Sequence, residues 1–271
     1  MSPRVSVVTI VRGRLEHLRR QGWGLAEQDE PHPEWVVVRM GGPDPSAVLT
    51  EGPRPVLVEL DVPDGSPLPL AAARNAGIAA ASGETVVLLD VDAVPGPQTL
   101  RRYGDAAERT GGAVAGPVSY LPAGVPATHA DLGTLAGAGR PHPARPVPAD
   151  GELLPEQRWE LLWTVSMAAP AALLRRVGGF DERYTGYGAE DTDLAMRLRA
   201  SGAPLHWVGG AWAYHQHHEE VGRRDRVPDI VRNASTFRRT WGWWPMAGWL
   251  ADLAAEGRVE WDPDGTTLRE V

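Results

Sequence analysis

The chain has 271 residues, 42% of them hydrophobic, and a formal net charge of −8. That is enough apolar content for a packed core and too much for a disordered chain, and the acidic balance without a basic stripe argues against a nucleic-acid partner. The absence of cysteine excludes disulfides and thiolate metal sites, so any metal must be held by Asp, Glu or His. All basic side chains are arginine, so phosphate would be held by Arg forks, helix N-termini or a metal. No apolar run reaches the roughly 20 residues of a membrane span. Met1-Ser2-Pro3-Arg4 runs straight into the first apolar segment without a leader pattern, which sets a cytoplasmic location as the expectation.

Val5 to Val11 is an apolar, β-branched run read as a strand, followed by Arg12-Gly13-Arg14 and a helical stretch with Leu15, Leu18 and Leu25. Trp35 to Val38 is a second strand, ended by Gly41-Gly42-Pro43, and Val56 to Leu60 a third. The Ala-rich segment Leu70 to Ala81 predicts a helix closed by Ser82-Gly83, and Thr85 to Leu89 a buried strand. Strands alternating with helices over the first ~120 residues predict an α/β fold with a largely parallel sheet. Residues 121–151, rich in Pro, Gly and Ala, read as a lid, a binding loop or a mobile segment. Beyond them, Pro170 to Val177 predicts a short helix with Pro in its first turn, and Gly178-Gly179-Phe180-Asp181 a turn. Glu190 to Ser201 predicts a helix stopped by Gly202 and Pro204. Leu205 to Val208 and Ala211 to Tyr214 read as short strands, Ile230 to Trp241 and Met246 to Glu256 as helices.

Three places carry chemistry. Asp90-Val91-Asp92 follows a buried strand, where bare carboxylates would cost several kcal/mol or more. The triplet reads either as a turn ahead of Pro95-Gly96 or as a site for a divalent cation shared with a phosphate-bearing ligand. Glu190-Asp191-Thr192-Asp193 opens a helix on which Asp191, Leu194, Ala195 and Leu198 share a face. Acids favour helix N-termini, but three in four residues exceed what capping needs, and Asp191 is the candidate general base. In Tyr214-His215-Gln216-His217-His218, an extended strand would put His215 and His217 on one side and His218 on the other. One of them sharing a cation with Asp92 is the economical reading, a polar surface tail the other. Arg12, Arg14 and the pair Arg74-Asn75 are weaker candidates; by itself, a polar pair amid alanines is expected to face solvent.

With these residues in place the chain resembles GT-A fold glycosyltransferases, both the large family 2 and the β-1,4-galactosyltransferase family. Val5-Ser6-Val7-Val8-Thr9 with Arg12-Gly13-Arg14-Leu15-Glu16-His17-Leu18 is similar to the galactosyltransferase opening. Ala73-Arg74-Asn75-Ala76-Gly77, Leu89-Asp90-Val91-Asp92-Ala93-Val94-Pro95, and Gly178-Gly179-Phe180-Asp181 running into Gly186-Tyr187-Gly188-Ala189-Glu190-Asp191 follow in the same order. The resemblance implies a Rossmann-like, mostly parallel sheet with a donor half at 1–120, an acceptor and catalytic half at 121–218, and a C-terminal helical extension at 219–271. It implies Mn²⁺ (or Mg²⁺) on Asp92 and His215, with His217 as alternative. It places a nucleotide-sugar donor, UDP-linked, against Thr9, Arg12, Arg14, Arg74, Asp90 and Asp92. Tyr187 and Glu190 would hold a hydroxyl-bearing acceptor, and Asp191, with Glu190 beside it, would catalyse an inverting transfer. Two departures stand out. The uracil-reading Asp of family 2 is missing from Val38-Arg39-Met40-Gly41-Gly42, and Trp212 occupies the position of a galactosyltransferase Met ligand.

Three rivals differ in what they require. A sugar-1-phosphate nucleotidyltransferase wants a Gly-rich phosphate loop after the first strand, which the single Gly13 fits poorly. A nucleotide-sugar binding module without turnover has no use for Asp191. A metallohydrolase built on the histidines lacks the i, i+4 His pair with Glu.

Overall fold

Side chains of Val5–Val11 (β1) are buried almost throughout and point alternately to two cores, Val7 and Val11 into one and Val8 and Ile10 into the other. A strand covered on both faces requires this. The computed structural model describes residues 5–29, 33–50, 52–125, 135, 137–218 and 223–271. Glu34–Met40 (β2) and Thr85–Leu89 (β4) run parallel to β1 on its two sides, and Val56–Leu60 (β3) runs parallel to β2. Later strands are shorter: Ala93–Pro95 (β5), Ala113–Ala115 (β6), Val118–Tyr120 (β7), Arg140–Pro141 (β8), Leu153–Glu156 (β9), Ser166–Pro170 (β10), Leu205–Val208 (β11) and Ala213–His215 (β12). An eight-stranded sheet takes the order β3-β2-β1-β4-β10-β6-β11-β9, mostly parallel, with β10 antiparallel between β4 and β6. A four-stranded sheet, β5-β12-β7-β8, stands beside it and draws strands from both halves of the chain.

Helices Leu15–Ala26 (α1), Leu70–Ala80 (α2), Thr99–Thr110 (α3), Ala171–Arg176 (α4) and Glu190–Ala200 (α5) join these strands. The small residues of α2 let it lie close on the sheet: a Cβ at Gly77 would stand 2.2 Å from Val8 Cγ1. Pro170 ends β10 and caps α4 instead of sitting in its first turn. Val227–Trp241 (α6), Ala247–Ala255 (α7) and the hairpin Val259–Trp261 (β13) with Leu268–Glu270 (β14) share a small core of Val227, Ile230, Trp244, Leu250 and Leu253. That hairpin and strands β5 to β9 escape the sequence reading because two to four residues carry no measurable period. Of the 121–151 segment, residues 126–134 and 136 lie outside the described residues; 140–141 pair with β7, and Arg145 N donates to His142 O at 3.0 Å in a turn. Among the described residues no helix is long and apolar enough to cross a membrane.

Candidate active site

Strand β4 delivers Asp90 and Asp92 into a turn in which Ala93 N donates to Asp90 O at 2.9 Å. Gln21 of α1 pins that turn by donating to the carbonyls of Asp90 and Ala93 at 2.8 and 2.9 Å, and Gln21 itself accepts from Thr9 Oγ1 at 2.7 Å. Thr9 is fully buried and its hydroxyl also accepts from Trp35 Nε1. The expectation that Thr9 touches a donor is therefore corrected: it supports the Asp90–Asp92 turn through Gln21.

The Asp92 carboxylate is 8% exposed and collects three partners. Arg14 Nη1 and His218 Nε2 (3.2 Å) meet Oδ2, while His215 Nε2 lies 3.5 Å from Oδ1. Arg14 is held there by a left-handed backbone (φ 49°) at the cap of α1, a conformation that costs a non-glycine residue on the order of 1 kcal/mol or more. Burial works against ionisation of Asp92, but the His218 hydrogen bond and the charges of His215 and Arg14 outweigh it and hold the carboxyl at about 2. Burial pushes His215 down, toward the neutral imidazole that ligates metals. Among the described residues no hydrogen-bond donor meets the buried Asp92 Oδ1, and one ligand atom each from Asp92, His215 and His218 fall within 4.8 Å of one another. These residues fit a divalent cation, and a set of one carboxylate with two imidazoles suits Mn²⁺ better than Mg²⁺. His217 is corrected out of this set. Strand β12 ends at His215, so strand alternation no longer applies beyond it; His217 is exposed and His218 turns in.

Arg74 joins the two acidic motifs. It is 6% exposed, contrary to the solvent-facing expectation, and its guanidinium donates to Asp90 Oδ1 at 3.1 Å and Glu190 Oε1 at 3.0 Å. Asn75 beside it exchanges hydrogen bonds with the Phe180 backbone, tying α2 to the turn that leads to α5. Replacing Arg74 by Met leaves two carboxylates facing each other without a counter-charge. We expect a loss of about 3–5 kcal/mol, checked by urea unfolding; an unchanged midpoint would show the pairs to be dispensable.

Ala189 enters α5 with φ 71°, a second left-handed cap at the site. Glu190 is buried with both oxygens engaged, Oε1 by Arg74 and Oε2 by Gly188 N at 3.1 Å. Asp191 Oδ1 accepts from Thr192 N at 2.8 Å, and Oδ2 has no donor among the described residues. Burial, then the charge of Glu190, push Asp191 up to about 7, with Arg74 opposing. Asp191 itself is half-buried; the fully buried acid of the motif is Asp193, which the sequence reading did not separate from its neighbours. Trp241 of α6 meets Asp193, its Nε1 donating to Oδ1 at 2.7 Å, and only the fold reveals that. Tyr187 stacks on Trp249 with ring centroids 5.7 Å apart and carries Arg226 4.2 Å from its centre. Arg12 stands apart, paired with the exposed Asp64 at 3.2 Å. Among the late tryptophans, Trp244 is core, Trp241 reaches Asp193, and Trp243 is partly exposed against Phe237.

The sheet order, with an acidic turn at the end of β4 and an acidic start of α5, is an α/β fold of the GT-A type. Residues 6–133 match the family model described as glycosyl transferase family 2, and residues 155–220 the one described as N-terminal domain of galactosyltransferase. Each match covers less than half of the chain, which is thus similar to family-2 glycosyltransferases in its first half and to a galactosyltransferase domain further on. It is 30% identical over 192 residues to validoxylamine A glucosyltransferase of Streptomyces hygroscopicus subsp. jinggangensis, covering 63% of this chain and 44% of that protein. The chain thus spans less than half the length of that curated relative. Among solved structures, S. aureus TarS in complex with UDP-GlcNAc matches with TM-score 0.60 at 18% identity, covering 87% of this chain and 66% of that one. The mannosyltransferase PcManGT from Pyrobaculum calidifontis, in complex with GDP-Man and Mn²⁺, matches with TM-score 0.52 at 22% identity over 87% of this chain and 62% of its own.

Proposed function

We propose that this chain transfers a sugar from a UDP-linked donor to a hydroxyl acceptor with inversion, using Asp191 as general base. The observation that carries the reading is Arg74, which bridges Asp90 and Glu190 and so draws the cation cluster and the start of α5 into one site. Among the described residues no donor meets Asp191 Oδ2, and the carboxyl is poised to take a proton near neutrality. In the step proposed, the acceptor hydroxyl gives its proton to Asp191. Its oxygen bonds to the anomeric carbon from the face opposite the leaving group, and the electron pair of the broken bond departs with the nucleoside diphosphate. Arg14 and Arg74 supply positive charge beside that leaving group. Held by Asp92, His215 and His218, Mn²⁺ would neutralise charge developing on the diphosphate. Tyr187 and Glu190 line the acceptor side, where the Trp249 stack fixes the Tyr187 ring. The TarS structure with UDP-GlcNAc and the PcManGT structure with GDP-Man and Mn²⁺ support a nucleotide-sugar donor and this cation. A panel of nucleotide sugars with and without Mn²⁺, read by thermal shift and ligand-observed NMR, tests the reading. UDP-sugars should bind with Mn²⁺ present; no response from any nucleotide sugar would overturn it.

A further inference from the structure

Helix α6 lies beyond both segments that match a family, yet its side chains reach back to the loop and helix start that carry Tyr187, Glu190 and Asp191. Asn233, fully buried, donates through Nδ2 to Thr185 O at 2.9 Å and Tyr187 O at 3.3 Å. Asp229 accepts from Tyr187 N at 3.2 Å, and Arg232 donates to Thr185 O. At the far end of the helix, Trp241 Nε1 donates to Asp193 Oδ1 at 2.7 Å. Asp193 has no exposed surface, so its charge must be compensated inside the protein. Arg197 Nε serves Oδ2 at 2.6 Å, and Tyr184 Oη shares Oδ1 at 3.3 Å. A Cβ on Gly186 would stand 2.0 Å from Asp229 Oδ2, which shows how closely loop and helix meet. These contacts grip the segment on both sides of Asp191: at 185–187 before the left-handed cap at Ala189, and at Asp193 at the end of the first turn of α5.

We propose that α6, through Asn233 and Trp241, is a positioning element of the active site that holds the 185–193 segment in its working geometry. Neither residue touches the reacting atoms in this arrangement; both act through the backbone and Asp193. The strained cap at Ala189 makes such a grip necessary, because a non-glycine residue persists there only when its surroundings over-determine it. The role of Asp191 as base is taken from the reading above, so the test separates the two.

The full chain would be compared with Trp241→Phe, which removes the N–H but keeps an aromatic ring against Phe237, and with Asn233→Ala as a second variant should the first fail to fold. Hydrogen exchange at amides of 186–193 is expected to rise about tenfold, with the amides of β1 and β4 unchanged. UDP release from UDP-glucose with Mn²⁺ should lose about tenfold in kcat, with the donor KM within about twofold. Unchanged exchange at 186–193, or an equal rise across the whole chain, would overturn the proposal and leave α6 as a cover. Asp191→Asn, assayed in parallel, tests the base alone: full turnover in that variant removes the base assignment while the exchange result still decides the role of α6.

Discussion

Asp191→Asn is expected to lower sugar transfer by about 10²–10⁴-fold while leaving binding of UDP with Mn²⁺ within about twofold. The substitution keeps the shape and the bond from Thr192 N, and removes the ability to accept a proton. It sits outside the Asp92 cluster, so the donor side should not register it. The pH dependence has a definite sign. A base works only when ionised, and burial with the Glu190 charge raises Asp191 to about 7. Activity should therefore climb as pH rises through about 7 and level off above it. Glu190→Gln removes a raising charge and leaves Arg74 to favour ionisation, so the rising limb should move to lower pH. A wild-type profile that is flat from about pH 5.5 to 8.5, or that moves upward in Glu190→Gln, would contradict the assignment.

His218→Ala is expected to weaken Mn²⁺ binding by about 10–100-fold or more, and His217→Ala to leave it unchanged. Two adjacent histidines with opposite outcomes make a sharp comparison, because composition and sequence position scarcely distinguish them. His218 Nε2 stands 3.2 Å from Asp92 Oδ2, whereas His217 is exposed and its carbonyl lies 3.4 Å from His17 Nε2. His218→Ala also removes the hydrogen bond that helps hold Asp92 ionised. Calorimetric titration of Mn²⁺ in the presence of UDP reads the difference. Equal losses in both variants would mean that the cluster of Asp92, His215 and His218 is not the cation site. Mg²⁺ should substitute poorly in either case, since two imidazoles favour a softer ion.

Much of the frame was legible along the chain. β1, β3 and β4 begin and end where their apolar runs do, and α5 starts at Glu190, because period and punctuation act over a few neighbouring residues. The order of the motifs also carried the family resemblance, since Asp90-Val91-Asp92 and Glu190-Asp191 each announce themselves by charge in an apolar setting. Arg74 did not. Local pattern placed it on a solvated face, but its partner Glu190 lies 116 residues away and comes within 3.0 Å only when β4, β10 and α5 are stacked. Trp241 and Asp193 are 48 residues apart and meet for the same reason. Thr9 erred the other way, since a motif match cannot distinguish a hydroxyl facing a ligand from one sealed under Gln21 and Trp35.

By itself the sequence determined the alternating strands and helices, the acidic turn after β4 and the acidic start of α5. These follow from steric and hydrophobic preferences that act between near neighbours. Only the tertiary structure decided which histidine turns toward Asp92, that Arg74 is the bridge between the acids, and that Asp193 is sealed beneath α6. Those outcomes depend on burying charge, and a buried charge is tolerated only where a partner arrives from elsewhere in the fold.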